Sequence, residues 1–260
     1  MLEWLYRGLS KGRVTTRYPA SPERPPAGFM GQVEVLDAAS APGGLAEVCP
    51  TGAIAVKDGR VVLDRARCIL CGECVRAAPE RFVFAERYES AQRARRALVV
   101  GDAANPTPES PTRVALGEQA RMLRRSIHVR HIDTGSDGAE EWEIQALWNP
   151  YYDIQRLGFF LTAAPRHADI LLVTGGVTEP MRGPLERTWD VMPAPKALIA
   201  VGTDACSGGL ANDVGLVAGG VDRVLAVDVY VPGSPPAPIA ILHGLLLATG
   251  LLVAGDEVAA

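Results

Sequence analysis

Four cysteines in the first third of the chain have the spacing of a metal-cluster site. Three of them, Cys68, Cys71 and Cys74, follow the pattern C-x2-C-x2-C, and Cys49 lies upstream and is followed by proline. A loop with this spacing places three thiolates around one face of an iron–sulfur cube, and a remote Cys-Pro supplies the fourth thiolate. The pattern therefore predicts an iron–sulfur cluster held by these four side chains.

Two other interpretations of the same cysteines stay open. Zinc also binds four thiolates, although structural zinc sites favour two separated C-x2-4-C pairs over three cysteines on one tight loop and a lone fourth. The third interpretation is a set of thiols that carries no metal. The fifth cysteine, Cys206, is distant in sequence, and we interpret it as a buried structural thiol.

Short elements must position these cysteines. A hairpin is predicted around residues 57–60 (KDGR), between Cys49 and Cys68, and the proline-rich segment 18–30 is predicted to be extended. Residues 1–12 form an amphipathic helix that suits a membrane interface, a partner protein or its own domain. Residues 101–112 are dense in structure-breaking residues and are predicted to form a linker.

The second half of the chain has the pattern of a parallel sheet. Short apolar runs alternate with helical stretches beyond residue 113; the runs are SIHVRHI, ADILLVTGG, KALIAVG and RVLAVDVYV. Runs of this kind predict buried parallel strands in an α/β doubly wound, flavodoxin-like domain. The apolar stretch 239–254 is shorter than the roughly 20 residues of a membrane-spanning helix, so it is predicted to pack against the sheet.

Composition excludes several classes of protein. The chain has 260 residues, 48% of them hydrophobic and 22% charged, with a formal net charge of −4. This hydrophobic content excludes a mostly disordered chain, and the charge argues against a nucleic-acid binder. Few, unevenly spaced cysteines and the lack of a signal-peptide pattern at the N-terminus predict a reducing, cytoplasmic location. Neither a G-x-G-x-x-G loop nor a nucleophile–base set is evident, so no catalytic residue is assigned.

The cysteine region resembles a bacterial two-cluster ferredoxin that has lost one cluster. In that family each half reads C-x2-C-x2-C-x3-C-P, and the fourth cysteine of each half binds the cluster of the other half. The positions that are no longer cysteines are Ala39, Pro42 and Leu45 in the first half and Ala78 in the second. All four belonged to one cluster, so the resemblance implies one [4Fe–4S] cluster held by Cys49, Cys68, Cys71 and Cys74.

From about residue 122 to 253 the chain is similar to the small subunit of membrane-bound nickel–iron hydrogenases and to the 20-kDa subunit of complex I. The matching segments are 131–136 (HIDTGS), 149–154 (NPYYDI), 165–174 (PRHADILLVT), 220–224 (GVDRV) and 227–233 (VDVYVPG). The first 100 residues, including 15–19 (TTRYP), resemble the ferredoxin-like subunit of the same complexes, of the complex I 23-kDa or formate hydrogenlyase type.

The two resemblances imply a fusion of two subunits that are normally neighbours. An α+β ferredoxin-like domain over residues 1–100 would be followed by the linker 101–112. An α/β doubly wound domain would occupy residues 113–260.

The second domain departs from the hydrogenase pattern at its own cluster ligands. The positions of the four expected cysteines are occupied by Asp137, Glu140, Asp204 and Ser234. Oxygen atoms do not suit an iron–sulfur cluster, so this domain is expected to hold none. Two interpretations of the pocket follow: polar residues open to water and paired with Arg166 or His167, or a site for Mg, Mn or Ca.

The resemblance implies an iron–sulfur electron-transfer subunit of a hydrogenase-like or complex I-like membrane-associated oxidoreductase complex. Catalysis would lie in a partner similar to the hydrogenase large subunit or the complex I 49-kDa protein. Integral membrane subunits would hold the assembly, and this chain would be peripheral on the inner face of the cell membrane. The alternative is a non-redox scaffold subunit in which the cluster serves as a folding staple.

Overall fold

The computed structural model describes residues 3–38, 44–101 and 126–252. Its N-terminal half contains two small antiparallel sheets. The strands are β1 (Val33–Val35), β2 (Ile54–Lys57), β3 (Arg60–Asp64), β4 (Phe82–Phe84) and β5 (Val99–Val100). β1 pairs with β4, whereas β3 lies between β2 and β5.

The predicted hairpin at residues 57–60 is confirmed. Lys57 and Arg60 are opposite each other at the end of β2 and β3, and Asp58 and Gly59 have positive φ angles of 51° and 74°. Asp-Gly tolerates this left-handed backbone, which matches the twist of the flanking strands. The hairpin turns the chain back between Cys49 and Cys68.

The C-terminal half is built on a five-stranded parallel sheet, as the apolar runs predict. The strands are β6 (Ile127–Asp133), β7 (Phe159–Leu161), β8 (Ile170–Thr174), β9 (Ala197–Val201) and β10 (Val229–Val231). Their order is β10-β9-β8-β6-β7, and every neighbouring pair is parallel. This is a flavodoxin-like order, in which the chain reverses direction across the sheet between β6 and β8.

Two details of this sheet differ from the sequence prediction. The short edge strand β7 was not predicted, since three residues after Gly158 carry too little periodicity to identify a strand. The run at 223–231 forms a strand only at its end. Residues 221–225 are instead held in a turn, in which Val224 and Leu225 donate backbone hydrogen bonds to the Val221 carbonyl.

Helices cover the sheet and connect its strands. They are α3 (Ala139–Ala146), α4 (Glu179–Val191), α5 (Gly202–Ser207) and α6 (Pro238–Ala248), after α1 (Glu3–Lys11) and α2 (Glu73–Ala77) in the first half. Every residue of α6 except His243 is buried, which confirms a helix packed on the sheet. Within the three described segments, no helix is both long and apolar enough to cross a bilayer.

The two halves share their hydrophobic cores. Tyr18 and Ala91 are buried in the core on one face of the parallel sheet, and Ala66 and Leu98 are buried in the core on the other. A backbone bridge between Gln92 and Tyr230 also joins them. The predicted linker lies outside the described residues apart from Gly101, and the domain boundaries stay a prediction.

The N-terminal helix α1 is exposed. Its described side chains are all solvent-accessible, including Tyr6 at 73% and Leu9 at 75%. The interpretation in which this helix packs on its own domain is therefore wrong. Its described apolar side chains, such as Leu9, are therefore available for contact with a membrane or a partner protein.

Candidate functional site

The four cysteines line one small cavity in the N-terminal half. Cys49 ends the 3-10 turn Ala46–Val48, Cys68 follows β3, Cys74 lies in α2, and Cys71 is between them. Apolar walls come from Val33, Ala53, Ile54, Leu63 and Ile69. The fold thus brings the remote Cys-Pro to the C-x2-C-x2-C loop, as the spacing predicts.

The loop between Cys68 and Cys74 is curled by two residues with left-handed backbone. Leu70 has φ 57° and Gly72 has φ 75°. This conformation costs a residue with a Cβ about 1 kcal/mol. A Cβ on Gly72 would also lie 3.2 Å from the Phe84 ring. Glycine at this position therefore satisfies both the turn and the close packing of the loop on β4.

Local donors surround the Cys49 sulfur. The Ala53 backbone N–H donates a hydrogen bond to Cys49 Sγ over 3.2 Å, and the buried Thr51 hydroxyl lies 3.5 Å from the same atom. Hydrogen bonds to the sulfurs are one of the ways in which a protein tunes a bound cluster. The sulfur of the isolated fourth cysteine is thus placed in a setting that supports metal ligation.

Burial works against the charged form of two other thiols, those of Cys68 and Cys74. It raises the pKa of Cys68 to about 12, and the nearby Cys74, Cys49 and Cys71 sulfurs raise it further. Burial also raises the pKa of Cys74. Four thiolates in one cavity repel each other, and a bound cation reverses this penalty because metal ligation requires the deprotonated form.

The cysteine loop is anchored to the C-terminal half. The Thr203 hydroxyl in α5 donates a hydrogen bond to the Cys68 carbonyl oxygen over 2.8 Å. Two residues before this cysteine, Ala66 is fully buried in a core that includes Ala205 and Cys206. Cys206 itself is buried, as predicted for a structural thiol.

A second group of polar residues lies at the carboxyl edge of the parallel sheet. Asp137 precedes α3, Glu140 lies in its first turn, and Asp204 lies in α5 after β9. The three carboxylates are close enough for Asp204 and Asp137 to act on the pKa of Glu140. The structure therefore brings together three of the four residues that replace the expected cysteines.

Glu140 is the most buried of these side chains. Only 3% of it is exposed, and its Oε2 atom has no hydrogen-bond partner. Burial raises its pKa to about 7, and Asp204, Asp137 and Glu141 add to that rise. Burial likewise raises the pKa of Asp204, with Asp137 adding to it.

Other expectations about this pocket are not met. Ser234 is exposed on the loop after β10. Arg166 and His167 lie in a 3-10 turn that precedes β8, at the amino edge of the sheet. The expected pairing of Arg166 or His167 with the three acids is therefore wrong, because the acids lie at the carboxyl ends of the strands.

Sequence reasoning missed a hydrogen-bond network beside the pocket. The Thr174 hydroxyl lies 2.9 Å from His131 Nε2 and donates a hydrogen bond to Glu141 Oε1. The other oxygen of this carboxylate, Oε2, accepts a hydrogen bond of 2.9 Å from the Ser136 hydroxyl. Burial lowers the pKa of His131. The one signal in the sequence is Glu141 directly after Glu140, which places carboxylates on two faces of the α3 start.

Across residues 3–38, 44–101 and 126–252, no three His, Cys, Asp or Glu side chains are gathered as a group that could hold a metal ion. The four cysteines instead line the walls of their cavity. A four-iron cube binds one thiolate at each iron, so its ligands surround a cluster and do not converge on a single ion.

Comparison with known proteins defines the class. A family described as "4Fe-4S single cluster domain" matches residues 61–105, and one described as "NADH ubiquinone oxidoreductase, 20 Kd subunit" matches residues 138–248. The chain is thus an iron–sulfur protein of the oxidoreductase class, with a hydrogenase-like, complex-subunit domain on a flavodoxin-like sheet.

Individual relatives agree with this class. Over 132 residues the chain is 45% identical to formate hydrogenlyase subunit 7 of Escherichia coli, covering 51% of this chain and 52% of that protein. It is 40% identical to a probable membrane-bound hydrogenase subunit, mbhJ, of Pyrococcus furiosus, covering 51% and 80%. It is 43% identical to an NADH-quinone oxidoreductase subunit of Clostridium beijerinckii, covering 45% and 69%.

The chain belongs to the family described as NADH ubiquinone oxidoreductase, 20 Kd subunit. The match spans about half the length of formate hydrogenlyase subunit 7.

Proposed function

We propose that this protein is the iron–sulfur electron-transfer subunit of a hydrogenase-like or complex I-like membrane-associated oxidoreductase complex. The observation that carries the proposal is the cavity lined by Cys49, Cys68, Cys71 and Cys74. These four thiols would hold one [4Fe–4S] cluster, which when bound carries one electron at a time. Catalysis would take place in a partner subunit.

The described remnants of the second ferredoxin cluster support a single cluster. Leu45 and Ala78 are buried in the same hydrophobic core as Cys74. Apolar side chains therefore fill space where ligands of a second cluster would stand in a two-cluster ferredoxin. The other two remnant positions, Ala39 and Pro42, lie outside the described residues.

The protein residues around the thiols would set the properties of the site. The Ala53 N–H donates a hydrogen bond to Cys49 Sγ, and the Thr51 hydroxyl lies beside the same atom. Hydrogen bonds to the sulfurs of a bound cluster raise its reduction potential. Cys71 is exposed, whereas Cys74 is buried. The Cys71 side is thus the face through which electrons would reach or leave the site.

The complex is proposed from the relatives. One is named as a membrane-bound hydrogenase subunit and another as an NADH-quinone oxidoreductase subunit. A partner similar to the hydrogenase large subunit or the complex I 49-kDa protein, together with integral membrane subunits, would place this chain on the cytoplasmic face of the membrane. The exposed apolar residues of α1 support a peripheral membrane contact.

Anaerobic purification tests the cluster. We expect about four irons and four sulfides per chain, and an electron paramagnetic resonance signal after reduction. Cys71→Ser should remove most of the iron. Cys206→Ser is the matched control and should retain it, because Cys206 is buried in the other core. Eight irons, or stoichiometric zinc without iron, would overturn the assignment.

A scaffold role is the second candidate, favoured by the position of the cysteine loop between the two halves. The Thr203–Cys68 hydrogen bond and the buried Ala66 make this loop part of the joint. A cluster there would also act as a folding staple. Adding the substrate of the native complex separates the two roles, because a redox subunit changes its paramagnetic signal during turnover and a staple does not.

A further inference from the structure

An arginine shares a small cavity with the first cysteine of the cysteine loop. Arg65 follows β3 directly, and its carbonyl oxygen accepts a hydrogen bond of 3.3 Å from the Cys68 N–H. Arg65 and Cys68 also line a small cavity beside the cysteine cavity, together with Gln32, Val33, Leu70, Pro232 and Gly233. This cavity lies where the loop after β10 covers the cysteine loop.

The guanidinium group of Arg65 is held in place by the wall of the cysteine cavity. Arg65 Nε donates a hydrogen bond of 3.1 Å to the carbonyl oxygen of Val33. Val33 begins β1, is buried, and lines both cavities. A positive charge is therefore fixed at the edge of the cysteine site.

No acid of the protein neutralises this charge directly. In the part of the chain that the structure describes, no carboxylate forms an ion pair with Arg65, and Glu34 pairs instead with Arg87 over 2.5 Å. Taking a cation out of water is unfavourable unless negative charge accompanies it. Burial lowers the pKa of Arg65, whereas negative charge on Glu34 and Cys68 opposes that effect. The cysteine site is thus the source of charge that can balance Arg65.

Other arginines near the cysteine loop are balanced by acids. Arg76 in α2 forms an ion pair with Glu73, and both side chains are at least half exposed. Arg81 lies within ion-pair distance of Asp37. Charges that are paired and screened by water contribute little to a neighbouring site. Arg65 differs from them because it is partly buried, is not paired with an acid, and lies on the cavity that contains Cys68.

We propose that Arg65 is the counter-charge of the bound cluster and raises its reduction potential. The proposal rests on the electron-transfer function proposed above. Four thiolates outweigh the positive charge of an iron–sulfur core, so a bound cluster is anionic and becomes more so on reduction. A fixed cation stabilises the reduced form more than the oxidised form. The buried residues Pro232 and Gly233 cover one side of the cavity and limit screening by water.

A redox titration of the full-length, cluster-loaded protein tests this role. The paramagnetic signal of the reduced cluster is followed at a series of fixed potentials. Arg65→Gln removes the charge and should shift the equilibrium about tenfold towards the oxidised form, which is a fall in potential of about 59 mV for one electron. Arg65→Lys keeps the charge and should retain most of the wild-type potential. A purely structural role of Arg65 would not separate these two variants.

Arg76→Gln is the matched control, because it removes one positive charge from an exposed pair two residues after Cys74. It should shift the equilibrium less than about twofold. The inference is overturned if the loaded Arg65→Gln cluster keeps the wild-type potential, or if Arg65→Lys or Arg76→Gln lowers the potential equally. Loss of iron from both Arg65 variants would also overturn it, whereas loss from Arg65→Gln alone would support a need for the charge. A wild-type chain without a cluster would instead refute the proposed electron-transfer function.

Discussion

The hydroxyl group of Thr203 and the carbonyl oxygen of Cys68 are joined by a hydrogen bond of 2.8 Å between residues 135 positions apart in the chain. Thr203 is fully buried and is followed directly by Asp204, one of the three acids at the carboxyl edge of the sheet. Helix α5 therefore holds the cysteine loop through Thr203 and also carries Asp204 at the carboxyl edge of the sheet.

Thr203→Val should loosen the cysteine loop. Valine has nearly the same shape but cannot donate the hydrogen bond, which leaves the Cys68 carbonyl unpaired at a cost of about 1–3 kcal/mol. We expect the purified variant to contain its iron but to release it faster to a chelator. Thr249→Val removes a different buried hydroxyl, on the end of α6, and should not change iron release. Equal rates in the two variants would contradict this role for Thr203.

Arg95 should stabilise the N-terminal half, because it holds the turn before β5 against the end of β3. It forms two parallel hydrogen bonds of 2.7 and 2.6 Å with the Asp64 carboxylate, and both side chains are mostly buried. We expect Arg95→Ala to lower the unfolding free energy by about 1.5–3 kcal/mol, measured from denaturant unfolding. Arg182→Ala breaks an exposed pair with Glu186 and should cost less than about 0.5 kcal/mol. Similar losses would show that burial of the Asp64 pair is unimportant.

His243 should make stability depend on pH. Burial lowers its pKa from 6.5 to about 4, so the unfolded chain binds this proton more readily than the folded one. Above pH 6.5 His243 is neutral in both states and does not lower the unfolding free energy. As the pH falls from 6.5 towards 4, protonation of the unfolded chain lowers the unfolding free energy by about 3 kcal/mol in total. His243→Leu should flatten the pH dependence of Tm over that interval. An unchanged slope would assign the acid sensitivity to other groups.

The exposed face of α1 should contribute to membrane association. Leu9 is 75% exposed on a helix that also carries Arg7 and Lys11, a combination suited to an interface. Leu9→Asp should lower the fraction that sediments with membranes from lysed cells. Leu36→Asp changes another leucine that is 61% exposed, and it should leave sedimentation unchanged. Equal behaviour of both variants would exclude α1 as a membrane contact.

Local patterns explain what could be predicted from the sequence. The turn at Asp58 and Gly59 depends on the backbone preferences of two adjacent residues. The apolar runs of β8 and β9 are completely buried in the sheet, and β6 pairs beside β8 with Ile127 and Val129 buried. Signals of this type depend on residues that are close together in the sequence, so they can be recognised without knowledge of the tertiary fold. The edge strand β7 carries no such signal.

The cysteine spacing predicted an iron–sulfur site, because C-x2-C-x2-C brings three thiols together on one loop whatever surrounds it. Tertiary structure alone decided the burial of Glu140 against Gly202, the bond from Thr203 to Cys68 and the exposure of α1. The physical reason is distance along the chain. Burial and hydrogen-bond partners depend on which remote segments meet. The pKa of Glu140 rises chiefly because the tertiary packing buries this side chain, and Asp204 and Asp137 add to the rise.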